Sequence, residues 1–372
     1  MMKTIVVSAV TLRKGGTLTI LRQCLAYLSD MAAEGSYRVV ALVHRADLAH
    51  YPHIDYIEMP EIVGGWGKRL WCEYVTMHRI SKQLAPVHLW LSLHDTTPWV
   101  QAERQAVYCQ TSFPFLKSKW QDLYFDHKIM LFSLFTRFAY RINIHRNRYL
   151  IVQAEWLREG FSRMFGLPKE RFIVATPDRN APEAKADRTS TGDCYTFLYA
   201  STPDCHKNFE TICRAADMLE KDLKDRRFKV VMTVSGKENR YAKWLHRRWG
   251  HVKSLDFAGF MSKEMLYEKY AQADCLIFPS RVETWGLPIS EFAEFGKPML
   301  LADLPYAHET SAGSRQTAFF DPQRADLLKN QMKRLIEGDT SFLKEVPLQT
   351  IAEPATHSWK DLFEILLRKN KA

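Results

Sequence analysis

The chain has 372 residues, 46% apolar and 12% aromatic, which excludes a disordered chain and favours two domains, each with its own core. A formal charge of +10 suits nucleic acid, an anionic lipid surface or phosphorylated substrates, but no zinc-finger, basic-zipper or RNA-binding aromatic signature supports nucleic acid. Seven cysteines, with no Cys-x-x-Cys pair and no zinc spacing, read as reduced thiols in a cytosol.

Lys3 followed by Ile5–Leu12 has the outline of a signal peptide, yet Arg13-Lys14-Gly15 cuts the apolar stretch short and no small-residue cleavage site follows. Thr4–Val10 therefore reads as a first strand. No uncharged apolar run reaches about 18 residues, so no membrane-spanning segment is expected. Leu12–Thr17 is a basic, glycine-bearing loop, and Leu18–Met31 has helical apolar spacing. Strand, Gly15-Gly16 loop and helix have the general form of a phosphate cradle, in which glycines let backbone N–H groups reach an anion. The loop is neither a Walker sequence nor a dinucleotide fingerprint, and an ordinary turn has the same outline.

Tyr37–Val43, His53–Glu58 and Val87–Leu93 read as further strands, with a helix over Trp66–Leu84. His94-Asp95-Thr96-Thr97-Pro98 follows a strand where a parallel sheet places binding residues, outside its carboxyl ends. Lys117–Tyr149 interleaves Trp120, Tyr124, Phe125, Phe132, Phe135, Phe138 and Tyr140 with Arg137, Arg141, Arg146 and Arg148. Such a segment fits a membrane interface with anionic lipid. It equally fits a helix that packs its aromatics inward and leaves its arginines in solvent. Tyr149–Val152, a helix over Glu155–Phe165 and Phe172–Ala175 close the first half, and Thr176–Asp193, with two prolines, reads as a linker.

The second half restarts the pattern. Tyr195–Ser201, Phe228–Val234, Leu255–Ala258, Cys275–Pro279 and Met299–Ala302 read as strands. Helices over Phe209–Leu219, Asn239–Trp249 and Lys263–Gln272 alternate with them, which argues for a parallel α/β sheet. Ser280–Trp285 is a polar loop, and Gly286-Leu287-Pro288 opens a helix that stops at Gly296. Glu283 is expected in that loop and Glu291 on the first helical turn. Carboxylates repel phosphate but accept hydrogen bonds from sugar hydroxyls, so each suits a sugar or a ribose; a solvated loop acid and a favourable first-turn acid are the bland alternatives. Trp359–Leu367 reads as a final amphipathic helix.

Pro279-Ser280…Glu283-Thr-Trp-Gly286-Leu287-Pro288-Ile-Ser-Glu291 resembles the Glu-x7-Glu signature of the family 4 retaining glycosyltransferases of bacterial surface-polysaccharide type. The resemblance implies the GT-B fold: two doubly wound parallel-sheet (Rossmann-like) α/β domains facing across a cleft, with the C-terminal helix crossing back. The corresponding domains are 1–176 (acceptor side), 194–354 (nucleotide sugar) and 355–372 (helix packing back on the first). It further implies that Glu291 holds the donor ribose, that Glu283 contacts the transferred sugar, and that the Gly286-Leu287 backbone lies against sugar and phosphate. Lys207, in His206-Lys207-Asn208, resembles the family's basic donor-phosphate element. Gly15, Gly16 and Thr17 would face the diphosphate. Relatives often carry a histidine near Gln110 and an arginine near Ser201; glutamine cannot take a proton, and one phosphate cation is missing.

His94, Asp95 and Gln110 are the acceptor-side candidates, and Asp303–Glu309 resembles a loop beside the donor, with Glu309 expected as a helix-start acid. Catalysis is expected from Glu283 and Lys207 without cofactor or divalent metal, since no Asp-x-Asp pair sits at a strand end. The implied reaction moves a hexosyl group from a nucleotide-sugar donor to a glycan or lipid-linked glycan acceptor. The implied setting is cytoplasmic and peripheral on the inner face of the plasma membrane, an anionic membrane surface being a partner. A sugar-nucleotide epimerase of the same fold and a catalytically silent glycan- or lipid-binding subunit are the alternatives.

Overall fold

The computed structural model describes residues 2–62, 65–177, 194–223 and 227–368. The chain divides into two compact units. One comprises Met1–Pro114, Phe135–Asp178 and Ile351–Ala372; the other comprises Phe115–Leu134 and Arg179–Thr350.

In the first unit the strands are β1 (Lys3–Ala9), β2 (Tyr37–Val43), β3 (Ile54–Glu58), β4 (Val87–Ser92), β5 (Gln105–Tyr108), β6 (Tyr149–Val152) and β7 (Phe172–Ala175). Among them run α1 (Gly15–Ala33), α2 (Trp66–Trp71), α3 (Met77–Gln83) and α6 (Glu155–Phe165), while α4 (Trp120–Phe125) is counted with the second unit and α5 (His127–Arg141) begins there and ends in the first. A π-helical stretch, Cys72–Thr76, joins α2 to α3, so the helix expected over Trp66–Leu84 is widened in its middle. Every strand pair here is parallel, and β1, β4 and β5 are buried on both faces, which is why they are written as apolar runs.

In the second unit β8 (Cys194–Tyr199), β9 (Arg227–Met232), β10 (Leu255–Phe257), β11 (Cys275–Phe278), β12 (Met299–Ala302) and β13 (Thr317–Phe320) alternate with α7 (Phe209–Asp222), α8 (Arg240–Trp249), α9 (Lys263–Gln272), α10 (Leu287–Ala293), α11 (Pro305–Thr310) and α12 (Ala325–Ile336). Local chemistry sets the helix starts: Asn239 Oδ1 accepts from Ala242 N–H, and Ser262 Oγ accepts from Met265 N–H. The chain then returns to the first unit as β14 (Ala355–Thr356) and α13 (Trp359–Leu367). β14 pairs with β7, and Leu362, Phe363 and Leu366 of α13 join the core over Leu21, Leu25 and Leu28 of α1.

Strand order places the functional ends. The first sheet runs β14-β7-β6-β5-β4-β1-β2-β3, and the second β10-β9-β8-β11-β12-β13. Chain direction across each sheet reverses between β1 and β4 in the first, and between β8 and β11 in the second. Those are the switch points where an open α/β sheet leaves a crevice for ligand beyond its carboxyl ends.

Several boundaries differ from expectation. Phe115–Leu134, expected in the first domain, is counted with the second unit, because α4 is held there by an ion pair and by aromatic packing: Phe125 lies 4.9 Å from the Trp244 ring and 5.3 Å from that of Tyr241. Residues 351–354, expected in the second, belong with the first, since Pro354 O accepts from Val174 N–H and thereby extends the β7 ladder. β5, β13 and α12 were not foreseen, being four-residue strands and a helix whose charges hide its apolar face. Of the expected linker, 178–193 lies outside the described residues.

Candidate functional site

The second unit's switch point brings together the turn after β8 and the loop after β11. The turn is a short 3-10 helix, Cys205–Lys207, ended by Asn208 in the left-handed region, φ 60°. Asparagine tolerates that conformation. Its buried amide ties three strand ends together: Nδ2 donates to Pro279 O at 3.1 Å and to Pro322 O at 2.8 Å. The Tyr199 hydroxyl donates to Lys207 O at 2.8 Å. So held, Lys207 Nζ donates to Glu283 Oε1 at 2.6 Å, and the two side chains keep 15% and 12% of their surface exposed. The sequence places these residues 76 positions apart, and the fold makes them an ion pair.

Gly286 precedes α10 with φ 93°, a left-handed conformation, and a Cβ there would lie only 3.3 Å from Ile289 Cδ1. The positive φ favours glycine, and a Cβ would also make Ile289 give by a few tenths of an ångström. Glu291 falls one turn further into α10 than expected, and no acid occupies the first turn. Its Oε2 accepts from the Tyr270 hydroxyl at 3.1 Å, and burial raises its pKa above the usual carboxylate value. Glu309 likewise is not a helix-start acid: it is buried near the end of α11. Leu287 is exposed.

Arg281 was not foreseen. Its NH1 and NH2 donate to Asp122 Oδ2 and Oδ1 at 2.9 and 2.6 Å, a fork on a carboxylate with both side chains almost fully covered. An arginine between Ser280 and Val282 was the one visible signal, and its partner is 159 residues away. Ser201, where an arginine was expected, is tied by backbone to Thr233.

At the first unit's switch point, Gly15 and Gly16 are exposed at the start of α1, Gly15 with φ 64°. No acidic residue lies in the first turn of α1, and the Thr17 hydroxyl donates to Lys14 O at 3.0 Å. Beyond β4 the acceptor-side candidates behave differently from expectation. His94, expected to face a ligand, turns inward with its ring fully buried, Nδ1 lying 3.0 Å from Thr96 Oγ1 and 3.4 Å from Glu73 Oε1. Burial lowers its pKa to about 4, so the ring is neutral and the Glu73 contact is no ion pair at neutral pH. Glu73, on the π-helical stretch, instead takes Arg69 Nε at 2.8 Å.

Asp95 has φ 68° and accepts Gln110 and Thr111 N–H groups on Oδ1 at 2.5 and 3.0 Å. Burial pushes its pKa up to about 6 against those bonds and the charge of Arg69. Gln110 Nε2 donates to Leu93 O at 2.6 Å. These residues are thus brought together, mostly bonded to one another. Glu73, an acid inside the apolar run around Leu70–Val75, was the overlooked signal.

No helix among the described residues is long and apolar enough to cross a membrane, and no cluster of histidine, cysteine, aspartate or glutamate with metal-binding geometry occurs among them. The expected aromatic-basic face is divided. Tyr140 is buried, Arg141 donates to Met164 O and Arg146 to Val100 O, while Leu131, Leu134, Phe135, Phe138 and Ile142 form an exposed stripe on and just beyond α5.

Two solved structures share this fold across almost their whole length. The chain aligns with sucrose-phosphate synthase from Thermosynechococcus elongatus at 15% identity and a TM-score of 0.64, covering 92% of each chain. With HepE of Anabaena, solved in complex with UDP and glucose, the values are 15%, 0.59 and 92% of each. Among curated proteins, the O-antigen chain mannosyltransferase B of Escherichia coli is 21% identical over 223 residues. That match covers 58% of this chain and 58% of the relative's own length. The architecture of two parallel sheets flanked by helices is the GT-B fold. Its second unit also carries a family match: residues 180–347 fit the family model described as glycosyl transferases group 1.

Proposed function

We propose that this protein is a retaining, metal-independent glycosyltransferase that moves a hexosyl group from a nucleotide sugar to a lipid-linked glycan of a bacterial surface polysaccharide. The observation that carries the reading is the Lys207–Glu283 pair at the β8/β11 switch point, inside the segment that fits the glycosyl transferases group 1 model. The UDP and glucose bound to HepE and the O-antigen mannosyltransferase match support donor and acceptor class.

In the transfer step the sugar–phosphate bond breaks and negative charge grows on the leaving diphosphate. An acceptor hydroxyl oxygen bonds to the anomeric carbon and gives its proton to the leaving diphosphate or to water. Lys207 moves from Glu283 onto the donor diphosphate as it binds, and the ammonium then stabilises the growing charge more in the transition state than in the ground state. Glu283, released, accepts from hydroxyls of the transferred sugar. Glu291 accepts from the donor ribose, its raised pKa reflecting a site shielded from water. The backbone at Gly286 approaches the diphosphate without side-chain obstruction.

The exposed stripe on α5 faces an anionic leaflet. Phe135 and Phe138, each 62% exposed, supply apolar burial, and Arg137 adds roughly 1 kcal/mol of attraction. Arg141 and Arg146 contribute less, being engaged with backbone carbonyls.

Incubating the purified protein with a panel of nucleotide sugars, with and without lipid-linked glycan and with EDTA, tests the reading. Glycosylated product with the donor's anomeric configuration, formed about 100-fold more slowly by Lys207→Ala, is expected. An isomerised nucleotide sugar formed without acceptor would instead identify an epimerase, and absence of any turnover or nucleotide binding would leave a silent binding subunit.

A further inference from the structure

Residues Phe115–Leu134 leave the first unit's chain, dock on the second unit and return. Their anchor is Asp122. Its carboxylate accepts the Lys119 N–H at 2.6 Å at the start of α4 and, at the same time, both terminal nitrogens of Arg281. Around it, Lys119 Nζ approaches Glu210 Oε1 at 3.8 Å, and Arg240 lies 3.8 Å above the Tyr124 ring. On its other side Arg281 holds the turn that carries Lys207: its N–H donates to His206 O at 2.8 Å and its NH2 to Cys205 O at 3.1 Å. Glu283 follows two residues later. One guanidinium thus joins α4, the turn bearing the cation and the loop bearing its carboxylate partner.

We propose that Arg281 and Asp122 are positioning residues that place Lys207 on the leaving diphosphate, so that docking of the 115–134 segment sets the competence of the donor site. The proposal rests on the glycosyl-transfer reading. Its physical basis is the geometry of the tie. A buried ion pair that served stability alone could be exchanged for apolar side chains of similar volume with little loss. An apolar pair would fill the space, but it could not hold the Cys205 carbonyl, and the turn would drift. A displacement of the order of 1 Å at a reacting group can lower turnover about 100-fold.

The test uses the full chain with Arg281→Met and Asp122→Leu combined, compared with wild type and each also with Lys207→Ala. Three results are expected together: melting temperature and nucleoside-diphosphate affinity stay near wild type, kcat falls about 100-fold, and adding Lys207→Ala lowers kcat little further, because Arg281 acts through Lys207. Unchanged kcat, or a full additional loss on adding Lys207→Ala, overturns the proposal. Should the apolar pair fail to fold, Asp122→Asn is read in the same way: reduced kcat with donor KM unchanged supports the tie, and both parameters unchanged overturn it. Wild type that neither binds nucleoside diphosphate nor turns over a nucleotide sugar overturns the glycosyl-transfer reading itself, and the proposal with it.

Discussion

The two switch points are built on the same topology and use their charges in opposite ways. Beyond β4 in the first unit, Arg69, Glu73, His94, Thr96, Asp95 and Gln110 bond mostly among themselves, the histidine ring and the Glu73 carboxylate being fully buried and Glu73 Oε2 left without a hydrogen-bond partner among the described residues. Beyond β8 and β11 in the second, Lys207 and Glu283 hold each other at an edge that water still reaches. A charge sealed among fixed partners stiffens the chain around it. A charge held by one exchangeable partner can be handed to a ligand. The first arrangement therefore reads as scaffold beneath a backbone surface at Gly15 and Gly16, and the second as the site proposed for the chemistry.

Breaking the sealed network should have the largest effect, and on stability. Glu73→Ala takes the carboxylate from the largely covered Arg69 guanidinium, which keeps neutral acceptors at His94 O and Thr96 Oγ1, and should destabilise the first unit by about 3 kcal/mol. Hydrogen exchange at β4 amides would measure it, and protection equal to wild type would mean the network is not sealed. Glu283→Gln should do the reverse, lowering kcat about 100-fold with little change in melting temperature or in nucleoside-diphosphate affinity. Equal loss of nucleotide binding would make Glu283 a nucleotide ligand or a structural residue. Glu291→Ala should weaken donor binding by about 1.5–3 kcal/mol, measurable by titration calorimetry. Unaltered affinity would remove it from the site.

The smallest effect sharpens the comparison through pH. His94 titrates at its usual 6.5 when unfolded and near 4 when folded, so between those values the unfolded chain binds the extra proton and stability falls as pH falls. Asp95 works the other way: between 3.8 and about 6 the folded chain binds the extra proton, so stability falls as pH rises. Exchange protection of β4 should therefore stay nearly flat between about pH 5 and 6 in wild type, where the two slopes oppose each other, and should fall with rising pH in His94→Gln, by less than about 1.4 kcal/mol per pH unit. Identical slopes would show that His94 does not titrate as a buried neutral ring.

Much of this molecule was legible as periodicity. Tyr37–Val43, Glu155–Phe165, Lys263–Gln272, Met299–Ala302 and Trp359–Leu367 fold over the spans their patterns predict, since apolar runs and helical stripes are local signals of burial. The Glu283–Glu291 stretch was legible too, because strand, polar loop, left-handed glycine and proline-led helix all lie within a few residues of one another. Which way the side chains face was not. His94 followed a strand end as a ligand would, but its ring goes inward because Glu73, Thr96 and Arg69 lie there, brought by a helix whose π-helical stretch no local propensity marks.

The amino-acid sequence by itself determined the two parallel sheets, the glycine at 286 and the residue types of the loop after β11, because burial and backbone conformation act over short spans. Only the tertiary structure decided strand order, and with it the switch points that bring Lys207 to Glu283. It also decided that Phe115–Leu134 belongs to the second unit, through the bond between Asp122 and an arginine 159 residues away. Such pairings depend on loop closure and on which faces are left to pack, and these are properties of the whole chain that no window of sequence contains.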